Sequence, residues 1–140
     1  QVCAEVDFAS IGTNDLTQYT MAADRQLGAL AALNDPWQPA VLHLIKATCD
    51  GGAAVESGPR PVGVCGEAAA DPALAVVLVG LGVATLSMNR RALPAVAAIL
   101  KTVDLPGARR IAELALNAAS ADDARNAVRN ELPELDIFGL

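Results

Sequence analysis

The sequence predicts an α/β fold in which short buried strands alternate with helices. Three short apolar runs each stop at a polar cluster. Phe8 to Ile11 precede Gly12-Thr13-Asn14-Asp15, Pro61 to Val64 precede Cys65-Gly66-Glu67, and Thr85 to Met88 precede Asn89-Arg90. Between and after these runs, apolar residues recur at helical spacing. Strands separated by helices favour parallel pairing through right-handed crossovers, which brings their C-terminal ends to one side. That side is where α/β sheets and barrels keep their chemistry.

Taken in order, Phe8 to Ile11 reads as a buried strand that ends at Gly12. A polar segment follows through Asp24 and Arg25, then an Ala/Leu-rich turn over Gly28 to Leu33. Asn34-Asp35-Pro36 is a loop and helix-start signal. Trp37, Val41, Leu44, Ile45 and Thr48 then share one helical face, and Gly51-Gly52 stop that helix. Gly58-Pro59-Arg60-Pro61 makes the turn into the second strand. Asp71-Pro72 opens a short helix with Leu74, Val77 and Leu78 on one face, ending at Gly80. After the third strand, Pro94 is placed as a first helical residue, ahead of a stripe of Val96, Ile99, Leu100 and Val103. Ile111, Leu114, Ala115 and Ala118 mark another helix. Ser120 followed by Asp123 reads as an N-cap with an acid in the first turn of a last helix.

Composition limits the class of function. The 140 residues suit one domain, and with 53% apolar but only 3% aromatic residues its core must be built from Ala, Val and Leu. A net charge of −6 argues against nucleic acid or an anionic membrane surface as the main partner. Gly, Asp, Arg and Pro break every apolar run that approaches membrane-spanning length, and no secretory signal is evident. Three cysteines without framework spacing point to reduced thiols in a cytoplasmic protein. The chain starts at Gln1 and runs almost directly into a strand, so a fragment of a longer protein is expected.

Asp7-Phe8-Ala9-Ser10-Ile11-Gly12-Thr13-Asn14-Asp15-Leu16-Thr17-Gln18-Tyr19-Thr20-Met21-Ala22-Ala23-Asp24-Arg25 resembles the phosphoenolpyruvate-utilising enzymes. Gly63-Val64-Cys65-Gly66-Glu67 followed by Asp71-Pro72 is similar to their other hallmark. Tyr19, Ala22 to Arg25 and the stretch from Asn34-Asp35-Pro36 to Ile45 look closest to the enzyme I branch of the bacterial sugar phosphotransferase system. They look less close to the pyruvate phosphate dikinase and phosphoenolpyruvate synthase branches. The resemblance runs from about Asp7 to Arg129; Ala9 is smaller than usual, and Leu132 to Leu140 match nothing.

The resemblance implies about the last three βα units of a phosphoenolpyruvate-binding TIM (β/α)8 barrel, with Mg2+ at its C-terminal face. It implies that the phosphorylatable histidine, the second metal carboxylate and the arginines of earlier strands lie outside this chain. His43, the only histidine, does not match the phosphorylated one. Phosphoenolpyruvate and pyruvate would be substrate and product, a histidine phosphocarrier protein the acceptor, and a homodimer the working form. A non-catalytic fragment that only folds or associates is the reading from another class.

The candidate residues follow from chemistry as well as from resemblance. Asp15 offers a hard carboxylate for magnesium and for a phosphate site; on its own, such an acid would be a helix cap or turn residue. Asn14 can donate its amide to a phosphate oxygen, Arg25 offers a planar fork for the same group, and Thr13 supports them. Cys65, between Gly63 and Gly66, is placed to protonate the methylene carbon of an enolate, although a free thiol alone is usually a small buried apolar group. Glu67 either orients Cys65 or a water, or bridges to a neighbouring loop. Cys3 and Cys49 read as structural. Gly80-Leu81-Gly82-Val83-Ala84-Thr85 resembles a dinucleotide fingerprint but lacks the last glycine and runs from helix to strand, the wrong direction for pyrophosphate. The Ala-rich region 108–128 is a packing stripe rather than a membrane face.

Overall fold

In a computed structural model that describes residues 2–140, the three apolar runs form parallel strands; Gln1 lies outside the described residues. They are β1 (Ala9–Gly12), β2 (Val62–Cys65) and β3 (Thr85–Ser87), in the order β1-β2-β3. The register aligns Ser10 with Gly63 and Gly63 with Thr85; two residues on, Gly12 aligns with Cys65 and Cys65 with Ser87. Because side chains alternate along a strand, Ala9, Ile11, Val62, Val64 and Leu86 pack on the core side. The small and polar rows Ser10-Gly63-Thr85 and Gly12-Cys65-Ser87 take the opposite, open face. Phe8 stands outside β1 and is 65% exposed, so the first strand begins one residue later than its apolar run suggests.

The segment after β1 differs from the polar stretch expected there: it is a helix, α1 (Thr13–Met21). Its buried face is made of Thr13 and Thr17, which carry no hydrophobic signal. Both hydroxyls are satisfied, since Thr17 Oγ1 donates to the Thr13 carbonyl at 2.7 Å and Thr13 Oγ1 donates to the Cys65 carbonyl at 3.2 Å. Ala22, at φ 50°, closes α1 with its N–H directed to the Tyr19 carbonyl, while the Ala23 N–H reaches the Gln18 carbonyl.

The next helix, α2 (Pro39–Ala53), starts after Trp37 and runs through Gly51-Gly52 rather than stopping at them. Gly52 is required by close approach: a Cβ there would lie 2.6 Å from the Arg60 carbonyl oxygen. A one-turn helix, α3 (Glu67–Ala70), leads into α4 (Pro72–Gly80), whose residues Ala73 to Leu78 are all buried. The single face expected for α4 is therefore a helix apolar all round, enclosed by its neighbours. The remaining helices are α5 (Leu93–Leu100), α6 (Leu105–Leu116), α7 (Ala121–Asn130) and α8 (Glu134–Ile137). Pro94 is the second residue of α5. Gly80 lets α4 meet α6 closely, because a Cβ on it would sit 2.1 Å from the Ala108 carbonyl oxygen.

Capping side chains fix the helix starts. Asp71 Oδ1 accepts from the N–H groups of Ala73 and Leu74 at 2.9 and 3.1 Å, and its Oδ2 accepts from Trp37 Nε1 at 3.0 Å. Asp104 and Ser120 cap α6 and α7 by accepting from Gly107 and Asp123. Arg125 of α7 lies 5.6 Å from the Trp37 ring centroid and pairs with Asp35, tying α7 to the loop before α2. Leu132 and Leu135 are buried, so the C-terminal segment that resembles nothing still completes the core. The Gly80 to Thr85 stretch passes from α4 into β3, the reverse of the strand-to-helix turn that binds pyrophosphate. No helix among the described residues is long and apolar enough to cross a membrane.

Candidate functional site

Parallel pairing places the C-terminal ends of all three strands at one edge of the sheet. There β1 passes into α1 through Gly12-Thr13-Asn14-Asp15, β2 into α3 through Cys65-Gly66-Glu67, and β3 into the Met88-Asn89 turn. An open hollow of about 450 Å³ lies between them, lined by Asn14, Gly66, Glu67, Ala70, Ser87, Met88 and Asn89. Two of the sequence candidates, Asn14 and Glu67, therefore share one cavity. Ser87 and Met88 join them, and neither had been singled out. Register is the signal that finds Ser87, because it is the residue aligned with Cys65.

Thr13, Asp15, Cys65 and Arg25 are absent from that lining. Thr13 is fully buried beneath it, joining α1 to the end of β2. Asp15 sits in the first turn of α1, where a carboxylate also complements the helix dipole, and its side chain is exposed. Arg25 reaches Asp15 Oδ1 at 3.6 Å, a solvated pair worth under about 1 kcal/mol, so either partner can turn to a ligand at little cost. Cys65 is half-buried in the second row of the open sheet face. Its thiol donates to the Ile11 carbonyl at 3.6 Å. Gly66 must remain glycine, because its φ is 99° and an added Cβ would press on Thr13 Oγ1 at 3.3 Å.

The other thiols behave differently. Cys49 is buried against Gly82. Burial pushes its pKa up to about 11, with the Asp50 charge raising it further and Lys46 opposing. Cys3 is also free and lines a different hollow with Gly51, Ala54 and Val55. His43 is exposed and its Nε2 lies 3.1 Å from the Leu116 carbonyl, away from the strand ends.

Among the described residues no three His, Cys, Asp or Glu side chains come together as a metal site. Asp15 nevertheless fits part of a magnesium site. It is an exposed hard oxygen donor next in sequence to Asn14, which lines the hollow, and magnesium commonly takes one or two carboxylates, completing its shell with water and phosphate.

The parallel strands and the polar clusters at their carboxyl ends define an α/β domain with an open hollow at the strand ends. The model of the family described as "PEP-utilising enzyme, PEP-binding domain" matches residues 1–105, and the chain belongs to that family. It is 52% identical over 128 residues to the phosphoenolpyruvate-protein phosphotransferase of Streptomyces coelicolor, covering 91% of this chain and 22% of that protein. It is 49% identical over 119 residues to the multiphosphoryl transfer protein of Xanthomonas campestris, covering 85% and 14% respectively. A third relative, the phosphoenolpyruvate-protein phosphotransferase of Haloferax volcanii, is 48% identical over 118 residues, covering 84% and 20%. The chain thus spans about a fifth or less of the length of these curated relatives.

Proposed function

We propose that the chain is the C-terminal part, about three βα units, of a phosphoenolpyruvate-binding (β/α)8 barrel in a phosphoenolpyruvate–protein phosphotransferase. The observation that carries this reading is the convergence of Asn14, Glu67 and Ser87 on one hollow, with Cys65 and Asp15 at the same strand ends. The relatives, themselves phosphoenolpyruvate-protein phosphotransferases in two of the three cases, favour this branch over the dikinase and synthase branches.

In this reading phosphoenolpyruvate lies across the strand ends with its phosphoryl group toward α1. The Asn14 amide donates to a phosphate oxygen, and Arg25, released from its weak pair with Asp15, places its guanidinium on the same group. A magnesium ion held by Asp15 and by a carboxylate from outside this chain would screen phosphoryl charge. The bond between the enol oxygen and phosphorus breaks as the phosphoryl group passes to a histidine on another part of the protein. The enolate left behind needs a proton on its methylene carbon. Cys65 supplies it: the S–H bond breaks, the C–H bond forms, and pyruvate leaves with Cys65 as thiolate, to be reprotonated from solvent. Glu67, at the mouth of the hollow, orients the thiol or a water. The phosphohistidine then loads a histidine phosphocarrier protein, and the enzyme works in the cytoplasm as a homodimer.

The test is label transfer by the full-length protein that carries this chain. With phosphoenolpyruvate labelled in its phosphoryl group and no nucleotide present, label should appear on a histidine and then on added phosphocarrier, with one pyruvate per phosphoryl group. Transfer that requires ATP would assign the chain to the dikinase or synthase branch. Absence of any transfer, with the protein folded, would overturn the reading.

A further inference from the structure

We infer that Thr13 is the positioning residue of the Cys65 thiol, a role that rests on the phosphotransferase reading above. The end of β1 and the first residue of α1 grip Cys65 at two points. Thr13 Oγ1 donates to the Cys65 carbonyl oxygen at 3.2 Å, and the Ile11 carbonyl oxygen accepts from the Cys65 thiol at 3.6 Å. Thr13 is itself immobilised. It is fully buried, at 0% exposure, and its own carbonyl accepts the Thr17 hydroxyl at 2.7 Å.

The two grips act differently. A bond to the Cys65 carbonyl fixes the peptide that joins Cys65 to Gly66, and so fixes the backbone from which the thiol projects. That peptide leads into the φ of 99° at Gly66, a conformation other residues rarely adopt. The thiol's own bond to Ile11 is long and weak, as sulfur donors are, and can be exchanged for substrate by a turn of the side chain. The thiol therefore keeps its proton and points it at the Ile11 carbonyl between turnovers, while Thr13 keeps the backbone still as the thiol swings to the methylene carbon. Proton transfer depends steeply on such placement, and a shift of about 1 Å can cost on the order of a hundredfold in rate.

The experiment compares Thr13→Val, Thr13→Ala and Thr13→Ser in the full-length protein, with Cys65→Ala as reference. Val keeps the shape of Thr but not its hydroxyl, whereas Ala and Ser differ from each other only in that hydroxyl. The inference expects Thr13→Val and Thr13→Ala to lower kcat for pyruvate formation about tenfold or more, with KM for phosphoenolpyruvate within about twofold of wild type. Thr13→Ser should recover most of the rate. If Val does not fold, the comparison of Ala with Ser decides alone. Equal rates for Ala and Ser, or wild-type kcat in Thr13→Val, would overturn the role of Thr13 while leaving the site reading intact. An unimpaired Cys65→Ala would instead remove the thiol's role, and the inference with it.

Discussion

Cys65 and Cys49 place one residue type in two different surroundings. Cys65 sits half-buried at a strand end, with its thiol on a carbonyl it can leave. Cys49 lies in the core against Gly82, and burial raises its pKa from an ordinary 9.0 to about 11. The sign of the consequence follows from linkage. The unfolded thiol loses its proton first, so the stability contributed by the neutral buried thiol is complete below pH 9 and lost as pH rises toward 11. Urea unfolding at a series of pH values should therefore show a steeper loss of stability across that window in wild type than in Cys49→Ala. Parallel curves would mean that the folded thiol ionises as freely as the unfolded one. The distinction was partly legible in the sequence: Cys65 carries its glycine neighbours and Glu67, whereas Cys49 carries no motif.

At the scale of elements, what was legible depended on whether a buried face is apolar. The starts of α4 and α7 could be read from Asp71-Pro72 and from Ser120 because capping is local chemistry, and both caps form. Helix α1 escaped because its buried positions are Thr13 and Thr17, which declare themselves only through their hydrogen bonds. Ser87 in the cavity escaped for a related reason, since strand register is a non-local fact. Gly80 ends α4 as its type suggests, but its larger role is the contact of α4 with α6. Gly80→Ala gains about 1 kcal/mol of helix propensity, yet forces a methyl to 2.1 Å from the Ala108 carbonyl oxygen. Separating the helices should cost more than the gain, in the range of about 1–3 kcal/mol for overpacking. The chain with Gly80→Ala should unfold at lower urea concentration than wild type; an unchanged or higher midpoint would show that the α4–α6 packing yields freely.

At the scale of the whole molecule, the sheet is open. β1 and β3 each pair on one side only, and the face bearing Ser10, Gly63, Thr85 and Ser87 borders a hollow of about 400 Å³ beside exposed Phe8. In a complete barrel the neighbouring strands would cover that edge and face. The 140-residue chain by itself should hide them by self-association, through a symmetric or a swapped pairing. Light scattering over a dilution series should give a dimer at micromolar concentration that dissociates on dilution. A stable monomer with cooperative unfolding would show that the covering helices suffice to protect the open sheet.

The central claim is that these strand ends form part of a phosphoenolpyruvate site in which Cys65 delivers a proton after the substrate is held. The most direct measurement is Cys65→Ala in the full-length protein, with phosphoenolpyruvate binding and pyruvate formation followed side by side. Loss of a general acid typically costs on the order of 10²–10⁴ in rate. Pyruvate formation should fall on that scale, while affinity for phosphoenolpyruvate stays within about twofold, because the acid acts after binding. Wild-type turnover in Cys65→Ala, or loss of binding in step with turnover, would contradict the account.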